Sequence, residues 1–306
     1  MTLKFQYKPS EQVKKDFENC FDITEPHVFK NLKESLRADK KIAMAAFRKG
    51  VSPEYVSEKL WDDRDFILSL LNTPRCPITI LDCLKFASKT LRDDKEVVLK
   101  AVKIYSSNFK FASKRLRDDK EVVLEAGKDM SCFTSFKYAS KRLRDDKEVV
   151  LKAVNNYPSN IRFASERLRA DKEIVLIAID DLTGDGFYGC NIEFASMELR
   201  DDKEIVMIAI ENDQSCSAFS FASKRLRADK EVFLAAINAY WYPWSSRQQS
   251  ILLHASSELR ADKESVLAAM KNSPFNSPSV ELKYISNELS NDPEFMKKVK
   301  KYFEPF

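Results

Sequence analysis

Paired carboxylates recur along the sequence in runs such as Asp93–Glu96, and acidic pairs can act as general acids and bases or hold a metal ion. In each run the second aspartate stands three residues after a leucine and directly before an apolar segment. A short carboxylate in that place is typical of a helix N-cap, which accepts hydrogen bonds from the free amides of the first turn. Ten aspartates fit this pattern: Asp39, Asp63, Asp94, Asp119, Asp146, Asp171, Asp202, Asp229, Asp262 and Asp292. We therefore predict a capping role for them, not a catalytic one.

A serine recurs in the triplet Phe-Ala-Ser, as in Ser88, Ser113 and Ser140, and could act as a nucleophile. No histidine recurs with it, so a packing role in a helix is the better interpretation. Of the two histidines, His254 stands where other copies have phenylalanine, which indicates a core or edge ring and not a general base. The pattern favours no enzyme, and we expect neither a cofactor nor a small-molecule substrate.

One segment resembles a calcium loop, because Asp181-Leu-Thr-Gly-Asp-Gly186 places oxygen ligands at alternate positions. Its twelfth position, where a glutamate should close the cage, is Ile192, and Glu193 comes one place late. The ordinary interpretation is a glycine-bearing loop, with calcium binding left as the alternative. Cys190 and Cys216 show no zinc-ligand spacing, so we expect no metal site.

The elements that position these residues belong to a repeat. Ten leucines mark its copies at intervals of 24 to 33 residues: Leu36, Leu60, Leu91, Leu116, Leu143, Leu168, Leu199, Leu226, Leu259 and Leu289. This period suits a pair of short helices. Only 5 of the 306 residues are glycine, which argues against β-rich folds, Rossmann domains and phosphate-binding loops.

After the cap, Val97, Val98, Ala101 and Val102 trace one face of a helix. Buried strands are the competing interpretation, because Val-Val-Leu has strand propensity. Before the leucine, Phe109, Ala112 and Leu116 predict a shorter first helix. Such pairs bury their faces only by stacking, which predicts an all-α solenoid of about ten helix-pair repeats with atypical capping units at both ends.

Two segments are predicted along the chain. Residues 1–27 form a leader with a capping helix whose candidate N-cap is Ser10, and residues 28–306 form the solenoid. The solenoid ends in a lysine-rich capping helix that carries Lys297, Lys298, Lys300 and Lys301.

The units, which read FASKTLRDDKEVVLKAV from Phe86 and FASKRLRDDKEVVLEAG from Phe111, resemble the repeat of the family known as domain of unknown function 4116. The resemblance covers about residues 28–300 and departs from the pattern at Asn31, Trp61, His254 and Ser290. It implies no activity. Such repeats occur in bacteria that live in eukaryotic hosts, in protists and in large DNA viruses, which is consistent with a bacterial effector acting inside a host cell.

A basic ridge is suggested by the Ser-Lys-Arg-Leu-Arg runs at Ser113, Ser140 and Ser223. From Lys114 to Glu121, however, four positive residues face three negative ones. We expect Arg117 and its equivalents to lie over the neighbouring unit and pair with carboxylates. The net charge of +4 is too small to indicate that the partner is a polyanion. Binding to a nucleic acid or an anionic surface is therefore kept as the alternative function.

The repeats differ in length because of insertions between the second helix of one unit and the first helix of the next. These insertions share one edge of a solenoid, which is commonly its binding face. Two of them carry aromatic residues that we predict to bind a partner: Phe187, Tyr188, Tyr240, Trp241, Tyr242 and Trp244. Folding back over neighbouring units is the other interpretation of the tryptophans.

We expect a non-enzymatic scaffold that binds a protein partner through its extended surface and inserted loops. Six scattered cysteines without a CxxC pair indicate free thiols in a reducing compartment. The first residues lack the apolar stretch of a secretory signal, and no apolar run approaches a membrane span. We therefore expect a cytoplasmic protein, located in the host cytosol if it is translocated.

Overall fold

The computed structural model describes residues 26–73, 82–128, 135–180, 189–213, 217–239, 250–272 and 279–303. Within these ranges the chain forms α-helices, 3-10 helices and turns, and no β-strand occurs. The competing strand interpretation is therefore wrong for the described repeats, and the all-α solenoid is confirmed. The leader helix predicted from Ser10 lies outside the described residues.

The chain divides into two compact units, unit 1 with residues 1–140 and unit 2 with residues 141–306. Among the described residues, unit 1 contains four capped helices, each of which begins directly after a capping aspartate: α1 (Lys40–Arg48), α2 (Arg64–Leu71), α3 (Lys95–Ile104) and α4 (Lys120–Ala126). Unit 2 contains six more: α5 (Lys147–Asn156), α6 (Lys172–Ile179), α7 (Lys203–Glu211), α8 (Lys230–Asn238), α9 (Lys263–Lys271) and α10 (Pro293–Phe303).

The predicted caps are present at all ten helices. The carboxylate of Asp171 accepts hydrogen bonds from the amides of Glu173 (3.1 Å) and Ile174 (3.4 Å). At α10 the carboxylate of Asp292 accepts from Glu294 (3.0 Å) and Phe295 (3.1 Å), and Pro293 occupies the first helical position. A proline costs nothing there, because that amide has no partner within the helix.

The first part of each repeat is divided, which the sequence did not predict. Instead of one helix over Phe109, Ala112 and Leu116, a 3-10 helix (Ser106–Phe111) ends at Ala112, whose backbone is extended at φ −57° and ψ 152°. A second turn (Leu116–Asp118) follows. The division occurs because the hydroxyl oxygen of Ser113 accepts from the amide of Leu116 at 3.2 Å and so starts a new turn.

Equivalent short elements precede the other capped helices. The short α-helices are Pro26–Phe29, Glu34–Arg37, Glu58–Trp61, Glu166–Arg169, Ser217–Phe221, Ser257–Ala261, Ser279–Leu282 and Asn287–Ser290. The remaining 3-10 helices are Pro53–Tyr55, Cys83–Lys85, Leu91–Asp93, Ser135–Tyr138, Leu143–Asp145, Pro158–Phe163, Gly189–Phe194, Leu199–Asp201, Leu226–Ala228 and Ile251–Leu253. None of the described helices is long and apolar enough to cross a bilayer.

The core of each repeat lies between its short turns and its capped helix. Val97, Val98, Ala101 and Val102 of α3 are fully buried, as the helical periodicity predicts. Phe109 is fully buried with them. Burying one such valine or phenylalanine side chain stabilises the fold by roughly 1.5–3 kcal/mol, so the repeated apolar positions provide most of the packing energy.

Candidate functional site

Adjacent repeats are joined by one recurring backbone hydrogen bond. The amide of the serine that ends the Phe-Ala-Ser triplet, or the equivalent triplet of a variant repeat, donates to the carbonyl of the residue after the marker leucine in the preceding repeat. Its members are Ser57 to Arg37, Ser88 to Trp61, Ser113 to Arg92, Ser140 to Arg117, Ser165 to Arg144, Ser196 to Arg169, Ser223 to Arg200, Ser256 to Arg227 and Ser286 to Arg260, at 2.8–3.2 Å. The serine is therefore a structural joint, in agreement with the packing role predicted for it.

The serine hydroxyl makes a second contact between repeats. In unit 1 the hydroxyl of Ser113 donates to the carboxylate of Asp93, and the guanidinium of Arg115 pairs with the same carboxylate at 3.1 Å. The bond from Ser113 lowers the pKa of Asp93, and Arg115 lowers it further. We call Asp93 and its equivalents, each directly before a capping aspartate, linking aspartates. Asp145 with Ser165 and Arg167, and Asp201 with Ser223 and Arg225, repeat the arrangement in unit 2.

Other repeats have alanine in place of the linking aspartate. Ala170 and Ala228 are followed in the next repeat by Glu198 and Glu258, at the position that is arginine in four other copies. The pKa of Glu198 is lowered by its own backbone amide and by the hydroxyl of Ser196. The serine thus bonds within its own repeat when the preceding repeat offers no carboxylate. This pairing of residue types between neighbouring repeats was missed at the sequence level, although aligning the copies would have revealed it.

A ladder of lysines joins the N-termini of neighbouring capped helices. In unit 2 the ammonium of Lys203 lies 2.7 Å from the carboxylates of both Asp229 and Glu231 in the next repeat. The hydrogen bond from Lys203 lowers the pKa of Asp229, against an opposing effect of burial. The Asp-Asp-Lys-Glu runs are thus built into caps and joints between repeats. No cluster of His, Cys, Asp and Glu in the described ranges could hold a metal ion.

In the basic ridge, the arginine that pairs with a carboxylate is not the one that the sequence predicted. Arg115 pairs with Asp93, whereas the arginine after the leucine, Arg117 in that repeat, was predicted to do so. Arginines of this second class bond to carbonyls instead: Arg92 Nε donates to Ala87 at 2.9 Å, and Arg227 donates to His254 at 3.2 Å. The reason is that the turn ending at the Phe-Ala-Ser triplet leaves carbonyl oxygens that require donors.

Two unusual side chains fit the repeat. His254 is half-buried in the aromatic position, and burial, followed by the charge of Arg227, lowers its pKa. Trp61 occupies the arginine position, is buried, and lies 5.2 Å from Phe86 between ring centroids. Both are packing residues, in agreement with the ring role predicted for His254.

The predicted partner-binding residues lie outside the described part of the chain: Phe187, Tyr188, Tyr240, Trp241, Tyr242 and Trp244. The calcium-like segment Asp181–Gly186 does so as well. Their roles stay predictions. Cys190 is described and is half-buried.

An apolar surface that the sequence interpretation missed lies on four capped helices of unit 2. The residues five and six places after each capping aspartate of α6–α9 are apolar and half-buried. We call them the apolar strip: Leu176, Ile177, Met207, Ile208, Leu234, Ala235, Leu267 and Ala268. They lie opposite the fully buried face, which in α6 includes Ile174 and Val175. These helices are therefore apolar on two faces, a pattern of helices that are covered on both sides.

The strip is continuous because its helices are aligned. Neighbouring helices from α6 to α9 contact one another. The ammonium groups of Lys172, Lys203 and Lys230 each contact the glutamate at the N-terminus of the next helix, at 2.6–2.7 Å. The N-termini consequently lie side by side, which places the equivalent residues of successive helices in rows.

The second position of this register is charged in α3, α4 and α5, whereas the first position is leucine there as well (Leu99, Leu124 and Leu151). The second position is Lys100 in α3, Glu125 in α4 and Lys152 in α5, and each forms an ion pair within its own segment, with Glu96, Lys128 and Glu148 respectively. The helix therefore accepts a charged residue at the second position, and the fold does not require Ile177 and Ile208 to be apolar. Comparing this position across the copies would have been the sequence signal for it.

More acidic than basic residues border the strip, and the basic ones include Lys172, Lys203, Lys230 and Lys263, four places before its first residue in each helix. Glu173 and Glu204 stand one turn before the strip residues of α6 and α7, on the same helix face and exposed. Asp180 and Glu211 stand one turn after them and are also exposed. Glu231 and Glu264 continue the first border along α8 and α9, where Asn238 and Lys271 occupy the second.

Comparison with known proteins identifies a family and no individual relative. No curated protein and no solved structure matches the chain significantly. The profile of the family described as "Domain of unknown function (DUF4116)" matches four times, over residues 63–117, 94–144, 146–181 and 186–227. The matches contain the joint serines from Ser88 to Ser223 and the capping aspartates from Asp63 to Asp202, and together they cover more than half of the sequence. The chain therefore belongs to the DUF4116 family.

Proposed function

We propose that the protein is a non-enzymatic helical-repeat scaffold that binds a protein partner, and that the apolar strip of unit 2 is its main contact surface. The observation that carries the proposal is the strip itself: eight half-buried apolar side chains in register on four adjacent helices. Its second position is charged in α3–α5 and apolar in α6–α9, and apolar surface that the fold does not require is typical of protein interaction sites.

We propose that the inserted segments contact the same partner and so extend this surface. The one that carries Phe187 and Tyr188 begins directly after α6, and the one that carries Trp241 and Trp244 begins directly after α8. Both therefore start beside the strip. Aromatic residues next to an apolar surface fit the usual composition of interface hot spots. A reducing compartment, and a role inside a host cell, are part of the same proposal.

The alternative, a nucleic-acid binder, has less support from the ridge. Arg115, Arg167 and Arg225 are each held by a linking aspartate. Most lysines at the starts of the capped helices are shared between two carboxylates. A cation that already has a carboxylate partner contributes less to phosphate binding, because the carboxylate offsets its positive charge.

The proposal is tested by affinity capture from nuclease-treated lysate with the full chain, followed by mass spectrometry. The test variant is Ile177→Lys with Ile208→Lys, which places in the strip the residue that α3 and α5 carry naturally. Ser69→Lys, at the equivalent register of α2 in unit 1, is the matched control. We expect proteins that the wild type and Ser69→Lys capture and the strip variant does not. The proposal would be contradicted if the strip variant captured the same proteins as the wild type, or if nuclease treatment abolished capture.

A further inference from the structure

We infer that the partner presents a basic amphipathic α-helix to the apolar strip, with its apolar face on the strip and its lysines or arginines on the acidic borders. The inference rests on the proposed function and specifies the chemistry of the partner. It depends on the charge, the length and the backbone of the strip.

The charge of the borders favours a basic partner. Each helix from α6 to α9 begins with a cluster of one lysine and two carboxylates, such as Lys172 with Asp202 and Glu204, which leaves one net negative charge. The others are Lys147 with Asp171 and Glu173, Lys203 with Asp229 and Glu231, and Lys230 with Asp262 and Glu264. Asp180 and Glu211 add negative charge along the opposite border. Complementary charges on a partner would steer its approach and fix its orientation.

The length of the strip suits a helix of ordinary size. Packed helices lie about 8–10 Å apart, so four neighbouring helices span roughly 24–30 Å between the outer axes. A helix rises about 1.5 Å per residue, and one of about 16–20 residues covers that distance. Its apolar residues would recur at intervals of three and four, as in other helices that bind in grooves.

The backbone of the strip favours a helix over an extended peptide. The strip lies on α-helices whose internal amides and carbonyls bond within the helix, so it offers no free edge to a strand. A bound helix forms its backbone hydrogen bonds within itself, so it needs only side-chain contacts with the strip.

The chain's own basic helix does not match this partner in a second copy. Lys297, Lys298 and Lys300 of α10 are exposed, but its apolar residues Phe295 and Val299 are buried within unit 2. The helix is therefore basic without a free apolar face. An anionic membrane is also disfavoured, because the strip's borders would repel its headgroups.

The inference is tested by fluorescence anisotropy with the full chain and three labelled synthetic peptides of about 18 residues. The first has leucines on one helical face and lysines elsewhere. The second keeps the leucines and replaces every lysine by glutamate, and the third has the first composition with its leucines spread around the helix. We expect the second and third peptides to bind at least about tenfold more weakly than the first, which corresponds to about 1.4 kcal/mol.

Variants locate the binding site on the chain. Ile177→Lys with Ile208→Lys should weaken binding of the first peptide about tenfold. Ser69→Lys should leave it unchanged. Equal binding of the leucine-glutamate peptide, or undiminished binding to the strip variant, would overturn the inference.

Other occupants of the strip give their own results, and each overturns the inference. Tighter peptide binding in Trp241→Ala with Trp244→Ala would show that the chain's own segment covers the strip. A dimer in analytical ultracentrifugation that dissociates in the strip variant would show a second copy there. If lysate capture depends on the strip but the leucine-lysine peptide does not bind, the partner chemistry is wrong and the proposed function stands. If neither depends on the strip, both fail.

Discussion

The amide of Ser113 donates to the carbonyl of Arg92 at 2.8 Å, and this bond joins the beginning of one repeat to the middle of the preceding one. The hydroxyl of the same serine donates to Asp93, the residue next to Arg92. One serine thus fixes both the backbone and a side chain of the neighbouring repeat. Because the same bonds recur at successive junctions, they hold each repeat in one register on its neighbour.

The pairing of linking aspartate and arginine should be specific. Arg225→Glu places a carboxylate against Asp201 and should lower the melting temperature. Adding Asp201→Ala copies the natural pair Ala170 and Glu198 and should restore most of the loss. Thermal unfolding of the two single variants and the double variant measures the coupling, and additive effects would contradict specificity.

The capping aspartates should be structural. Asp229→Ala removes the acceptor for the amides of Glu231 and Val232 and should destabilise by about 1 kcal/mol. Asp229→Asn keeps a capping side chain and loses the ion pair with Lys203, so it should cost less. Urea unfolding compares the two variants. Loss of partner capture at unchanged stability would contradict a purely structural role.

Asn108 should be among the sensitive polar residues of unit 1. It is fully buried, its amide nitrogen donates to the carbonyls of Ala101 (3.3 Å) and Tyr105 (3.2 Å), and its oxygen accepts from the amide of Leu84 at 3.1 Å. Asn108→Ala leaves these groups without a partner and should cost about 1–3 kcal/mol. Asn108→Asp keeps the acceptor and loses the donor, so urea unfolding of both variants separates the two contributions. Wild-type stability in either variant would refute the assignment.

Acid should destabilise the fold. Hydrogen bonds from Ser113, Ser223 and Lys263 hold the pKa values of Asp93, Asp201 and Asp292 below the ordinary value. A lowered folded pKa gives stability that is present above about pH 4 and is lost as the pH falls through the folded values. The melting temperature should thus be flat near neutral pH and fall below about pH 4.

Circular dichroism melts across this range provide the measurement. Asp201→Asn should show a shallower fall than the wild type, because one of the contributing carboxylates is gone. An identical acid profile for the two proteins would contradict the assignment to this group.

The aromatic insertion should contribute to binding and little to stability. Trp241→Ala or Trp244→Ala should weaken partner capture by more than about 2 kcal/mol, the scale of a hot spot, with a nearly unchanged melting temperature. Capture assays and thermal melts of the same preparations test this. A large loss of stability with undiminished capture would assign these residues to the core instead.

The local features of the fold could be predicted from the sequence. The start of each capped helix depends on a carboxylate and amides two or three residues away, as at Asp171 and Ile174. The buried face of α3 depends on a spacing of three to four residues. Such short-range patterns are written directly in the order of the residues, which is why the caps, the helical class and the repeat were all predictable.

Contacts between repeats were decided by the tertiary structure. The bond that joins the amide of Ser113 to the carbonyl of Arg92 connects residues that are twenty-one positions apart in the chain. Whether Arg115 or Arg117 reaches a carboxylate depends on how one repeat is placed on the next. The apolar strip likewise exists as a surface only because the ladder of lysines aligns α6 to α9. The stacking of one repeat on the next sets these distances. The spacing of residues within one repeat does not determine how the repeats stack.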